Sequence, residues 1–205
     1  YHKTIMTPGT NTALIGYNTE LTTEFLDKIK TFYRTTPDEF KPTIHYNSKF
    51  EISFPKIDSK IICLPSTENV GRGYTLSLVL ASEVAFWEKA EEKMSTLEAS
   101  AEKGTIIVES TPSNVGTWFH RNWVTDSSEY VKKEYGWWWG YSREELERIR
   151  RRMNDPQRFA REYELTFLTA GRPVFEAAMV KEMRKNILNV GDEFPVGSGN
   201  FVESD

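Results

Sequence analysis

The chain carries one cysteine, Cys63, so no internal disulfide can form and a reducing compartment suits it. In "KIICLP" that thiol has apolar neighbours and no His or acid to activate it. It reads as a small buried hydrophobe, not a nucleophile. Long apolar runs are missing as well, and nothing approaches the roughly 18 residues of a membrane-spanning helix. The opening "YHKTIMTPGTNTALIGYN" lacks the basic, apolar and small-residue succession of a signal peptide. It begins on Tyr1 rather than Met, and the chain is expected to be part of a longer polypeptide. Positive charge is not in excess: the formal net charge is -4. A surface that grips nucleic acid all over is usually basic, so any DNA contact must be local or transient. His2, His45 and His120 are scattered without metal-ligand spacing. Finally, no G-x-x-x-x-G-K-S/T string occurs; Gly71 and Gly73 are followed by Tyr74. The chain therefore has no phosphate-cradling loop of its own.

What is present is an ordinary globular mixture. Apolar residues make up 39% and charged residues 27% of 205, enough for one domain with a sizeable core. "TALIGY", 12 to 17, reads as a buried strand. The helix after it should bury Leu21, Phe25, Ile29 and Phe32 and end at Thr36-Pro37. Residues 42 to 65 alternate polar and apolar and should form short strands, with "KIICLP" a candidate for the core. A polar loop, "STENVGRGY", leads to "LSLVLA", the most strand-like segment. Straight after it, Val84, Trp87, Ala90, Met94, Leu97 and Ala101 form a helical stripe that stops before Gly104. "TIIVES", 105 to 110, is a second apolar strand. Strand, helix, strand over 76 to 110 is a parallel crossover unit, and both strands should be covered on both faces.

Beyond it, 116 to 124 should be helical and "VKKEYGWWWGY" extended, with Trp137 to Trp139 packed on the sheet or, alternatively, offering a stacking platform for bases. Ser142 and Glu145 form a capping box. Asp155-Pro156 opens another helix, with Phe159, Tyr163 and Phe167 on one face and Gly171 and Pro173 at its end. "RIRRR" at 148 to 152, with Arg158 and Arg161, is the one concentrated basic region, a helix end suited to the dipole, or a contact for DNA phosphates or a neighbouring subunit. The Gly-, Ser- and acid-rich tail from Gly191 reads as a linker.

Ligands of open parallel sheets bind beyond the carboxyl ends of the strands. One apolar run delivers Ser82 and Glu83 to that edge, and "TIIVES" delivers Glu109, Ser110 and Thr111. A carboxylate held there can act on water as a general base. Hydroxyls are hard ligands for Mg²⁺ or its waters. The plainer alternatives are that Glu83 favours a helix dipole, that Glu109 is solvated, and that the hydroxyls are turn or cap residues.

These residues resemble a family, the large terminase subunit that packages DNA into tailed bacteriophage heads, in its ATPase domain. "TALIGYNTELTTEFLDKI" is similar to the strand and helix after its phosphate loop, and "ENVGRGYTLSLVLASEVAFW" to its Arg-Gly segment and Walker B strand. "GTIIVESTPSNVGTWFH" is similar to its coupling motif, and "NDPQRFAREYELTFLTAGRPVF" to the helix that closes the domain. The pieces keep the family's order and cover nearly the whole chain.

The resemblance implies an α/β, P-loop NTPase-like fold of the additional-strand catalytic-glutamate class. That is a three-layer sandwich on a mainly parallel sheet, truncated at its N-terminus. Residues 1–188 would be a partial ATPase domain, with closing helices over 136–170, and 189–205 a linker toward a nuclease domain. Glu83 would activate the water that attacks the ATP γ-phosphate. Ser82 stands where a Walker B Asp holds Mg²⁺ through water, a weaker ion-holder. Ser110 and Thr111 would couple hydrolysis to movement. Arg72 would be an arginine finger for the next subunit's nucleotide. ATP and Mg²⁺ are the implied cofactors. Double-stranded DNA, the portal protein, the small terminase subunit and a homo-oligomeric ring are the implied partners, with no membrane and the host-cell cytoplasm as location. Without a phosphate loop, these 205 residues alone are expected to bind ATP weakly or not at all. Two other readings stay open: a metal-dependent nuclease or hydrolase pairing Glu83 with Glu109 and needing a third acid, and a non-enzymatic assembly module.

Overall fold

Strand β1, Asn11–Gly16, is apolar on both sides of its pleat, and nearly every residue in it is buried. That demands cover on both faces, and the rest of the chain supplies it. The structure is a computed structural model describing residues 1–67 and 69–169, without the side chains of Tyr46 and Asn47. The described fold unit runs from Tyr1 to Leu168. The expected linker at 189–205 and the helix end at Gly171 and Pro173 lie outside the described residues.

A short helix α1, His2–Met6, precedes β1, and α2, Thr19–Thr35, follows it. Asn18 caps α2 by accepting from Leu21 N–H at 2.9 Å. Strands β2 (His45–Ser48), β3 (Glu51–Phe54) and β4 (Ser59–Pro65) come next, then β5 (Leu78–Ser82), helix α3 (Ala90–Ser100) and β6 (Thr105–Glu109). Helices α4 (Trp118–Val124), α5 (Arg143–Met153) and α6 (Pro156–Glu162) complete the described order. The six-stranded sheet runs β2-β3-β4-β1-β5-β6. β4, β1, β5 and β6 are parallel, while β2 and β3 add an antiparallel hairpin beside β4. β4 is the core strand anticipated in "KIICLP", with Cys63 fully buried.

Alternation on the pleat divides the core in two. On one face Ala13, Ile15, Val79 and Ala81 meet Val84, Trp87, Met94, Leu97 and Trp118. On the other, Leu14, Ile52, Phe54, Ile61 and Cys63 meet Leu26 and Ile29 of α2. The result is three layers. Among the described residues no helix is long and apolar enough to cross a membrane.

Several expectations need correction. The helix after β5 does not begin at once: Val84–Phe86 is a 3₁₀ turn and α3 starts only at Ala90. Left-handed backbone at Glu83 and Lys89 interrupts the helix, yet all six stripe residues are buried. Among the described residues β6 is not covered on both faces. It is there a sheet edge, and Ile107 keeps 48% of its surface exposed. α2 buries Thr22, Leu26 and Ile29, while Phe32, at 52% exposure, leans on the ring of Tyr1 instead. Trp138 and Trp139 do not pack on the sheet; they are 51% and 68% exposed. They sit in a short 3₁₀ turn at the end of an irregular stretch. α6 ends at Glu162, so Tyr163 caps it and Phe167 lies beyond it, against Phe119 and His120. The capping box of α5 and the Asp155 cap of α6 form as expected.

Candidate functional site at the carboxyl edge of the sheet

β5 and β6 are adjacent and parallel, with Ser82 paired to Glu109 in register. Their ends therefore reach the same edge side by side. The ladder continues one step further, as Glu83 N–H donates to the Glu109 carbonyl at 2.8 Å. There the chain turns. Glu83 adopts φ 59° and ψ 37°, the left-handed region that Glu rarely occupies. Such strain costs on the order of 1 to 3 kcal/mol and tends to be kept where a side chain must be aimed.

Side chains then tie the two strand ends together. Ser82, 3% exposed, donates its hydroxyl to Oε1 of Glu109. Its carbonyl accepts from Trp87 Nε1 at 3.0 Å, so the buried indole fixes the end of β5 from below. Ser110 Oγ accepts from Ala85 N–H at 3.2 Å and pins the 3₁₀ turn. Its own proton is shared between the Thr111 carbonyl at 2.8 Å and Glu83 Oε2 at 3.3 Å. Burial pushes the Glu83 carboxyl above the usual range, and the charge of Glu109 adds to this. The Ser110 hydroxyl opposes it, Glu162 raises it further, and a backbone hydrogen bond from Thr111 again lowers it. This is a carboxylate made more basic than in water, as a general base requires.

Ser82, Glu83, Glu109, Ser110 and Thr111 are thus brought together. Arg72 is not among them. It lies between Gly71 (φ +83°) and Gly73 (φ +81°) in the crossing from β4 to β5. The Gly71 carbonyl accepts from Ser100 Oγ at 2.7 Å beside the last turn of α3. A Cβ on Gly71 would come within 2.7 Å of Leu97 Cδ2, so only glycine fits there. The last turn of α3 leads to the start of β6, so Arg72 lies toward the amino-terminal edge of the strands, away from Glu83. It is exposed there, without a side-chain partner among the described residues.

Sequence reasoning missed what α6 contributes. Glu162 is close enough to act on Glu83, and it is ion-paired to Arg161 at 2.9 Å. The Arg161 guanidinium lies 5.4 Å from the ring of Phe86, in the turn just after Glu83. Glu162 also lines a cavity of about 310 Å³ with Tyr135, Trp137, Tyr141, Arg158 and Tyr163. Among the described residues no group of three His, Cys, Asp or Glu could hold a metal ion.

No protein-family model matches the chain, and neither does any curated protein sequence. Solved structures do match. The ATPase domain of the Thermus phage P74-26 large terminase aligns at a TM-score of 0.59 and 15% identity, over 81% of this chain and 80% of that one. A large terminase from a thermophilic bacteriophage, in complex with ADP, aligns at 0.61 and 13% identity, over 80% of this chain but 42% of its own. At such identities the likeness is one of fold: the chain has the three-layer, mainly parallel α/β fold of the phage large-terminase ATPase domain.

Proposed function

We propose that this chain is the hydrolytic part of a DNA-packaging ATPase, and that Glu83 is its general base. The carrying observation is the strand-end arrangement: a strained, half-buried carboxylate with raised proton affinity at the carboxyl edge of a parallel sheet. The fold it shares with terminase ATPase domains supports the nucleotide reading. The residues present suit the water-activating end of a Mg²⁺–ATP site. Glu83, Ser82, Ser110 and Glu109 offer the hard oxygens that Mg²⁺ and its waters prefer. When bound, Mg²⁺ would neutralise charge on the phosphates. Glu83 would then orient the attacking water and draw off its proton, held in place by the Ser110 hydroxyl. Ser110, bonded both to Glu83 and to the turn after it, and Thr111, bonded to Glu83, would carry a change at Glu83 into β6. Arg72, remote from its own Glu83 and without a side-chain partner among the described residues, suits a finger offered to the next subunit of a homo-oligomeric ring. Double-stranded DNA, a portal protein and a small terminase subunit would be the partners of the longer protein. The phosphate cradle would come from outside these 205 residues, which alone should bind ATP weakly.

The test is Glu83→Gln in the longer protein that includes the phosphate loop. Turnover should fall at least about a hundredfold, the scale of a lost general base. ATP binding should stay within about twofold, because a neutral isostere leaves the site's shape intact. Wild-type turnover in this variant would refute the assignment. A paired-metal hydrolase would need a third acid, and no such group occurs among the described residues.

A further inference from the structure

In the reading just given Glu109 is only one of four residues offering oxygens, yet it is the group that the buried Ser82 hydroxyl is committed to. The two residues are register partners, so their side chains rise from the same face of the sheet. Parallel neighbours lie about 4.8 Å apart, a gap that the two methylenes of a glutamate can span. A shorter acid on β5 itself would put its carboxylate in the same place. The Glu109 side chain is exposed, and no Lys, Arg or His pairs with it among the described residues. Among the described residues, then, no cation neutralises its charge. Ser82, by contrast, is neutral and has already spent its only proton. Mg²⁺ in phosphate-transfer sites is held by one or two carboxylates together with substrate oxygens and water.

Resting on the proposed nucleotide reading, we infer that Glu109 is the ion-holding carboxylate of this site, delivered across the ladder from β6, and that Ser82 is the positioning residue that aims it. The acid absent from the end of β5 has moved one strand over.

The experiment uses the longer protein with its phosphate loop. Binding of Mn²⁺–ADP is followed by electron paramagnetic resonance, alongside the Mg²⁺ concentration giving half-maximal ATP turnover. Glu109→Gln keeps the shape and can still accept from Ser82. It should weaken Mn²⁺–ADP and raise the half-maximal Mg²⁺ by about tenfold or more, the scale of a lost metal-site partner. Metal-free ADP binding should stay within about twofold. The exchange S82D/E109S, which returns the acid to β5, should recover most of that loss. Unchanged Mn²⁺–ADP affinity in Glu109→Gln would overturn the inference, as would an exchange variant no better than Glu109→Gln. Glu83→Gln is the control. If it is inactive while Glu109→Gln keeps normal metal dependence, only the Glu109 assignment falls. If it turns over normally, the nucleotide reading itself falls.

Discussion

Glu83 ionises in a place that resists ionisation. Burial and the neighbouring charge of Glu109 raise its proton affinity, and the hydrogen bonds from Ser110 and Thr111 only partly offset them. Its folded pKa therefore lies above its unfolded one. Between those two values the folded state binds more protons, so stability falls as pH rises through that window. At neutral pH the wild-type chain bears this cost and Glu83→Gln does not. The variant should melt higher by about 2 to 4 °C per kcal/mol relieved. The difference should fade as pH drops toward the ordinary carboxylate range. A thermal melt series from pH 4 to 8 checks it, and a gain that persists at the acid end would contradict this account. Glu83, Ser110 and Thr111 were legible because an apolar run marks where a strand stops, and parallel strands stop together. Glu162 and the indole of Trp87 were not. One arrives from a helix far along the chain, and the other looks like any core aromatic until its N–H is seen on the Ser82 carbonyl.

At the scale of elements, spacing held more than was drawn from it. Val84, Trp87 and Ala90 recur every three residues, the period of a 3₁₀ turn. Only Met94, Leu97 and Ala101 add the spacings of four that mark an α-helix. The 3₁₀ turn itself covers only Val84–Phe86, and extended backbone at Trp87 with left-handed backbone at Lys89 delays α3 to Ala90. The capping chemistry of α5 and α6 was readable; that of Asn18 on α2 and Thr117 on α4 was not drawn. Ser142 Oγ accepts from Glu145 N–H at 3.2 Å, and Glu145 Oε2 accepts from Ser142 N–H at 2.9 Å. Ser142→Ala should cost about 1 kcal/mol. Hydrogen exchange should accelerate in the first turn of α5 and little elsewhere. Equal acceleration across the sheet would mean that the box supports more than its own helix. Trp138 and Trp139 show the limit of such reading: composition reports three aromatics, but not whether any surface remains free to cover them.

For the whole molecule, the sheet order decides what is covered. β1 and β4 lie inside, where their short, mostly apolar runs made them candidates for the core. β6 has an equally apolar sequence and lies at the rim. Periodicity describes a strand's sides and not its neighbours, so this could not be read beforehand. A rim strand with an exposed Ile107 is prone to pairing between copies. The chain should show concentration-dependent association by size-exclusion chromatography with light scattering. Ile107→Lys should shift it toward monomer. Identical profiles would show that β6 is not the contact.

Bare among the described residues, that rim also gives the sheet a direction in which it can still grow. Any segment laid against β6 in parallel takes its register from the ladder, and its last residues arrive beside Glu109, Ser110 and Thr111. Completing the sheet and completing the site would then be one event, in which a single added strand supplies both the missing cover and the missing wall.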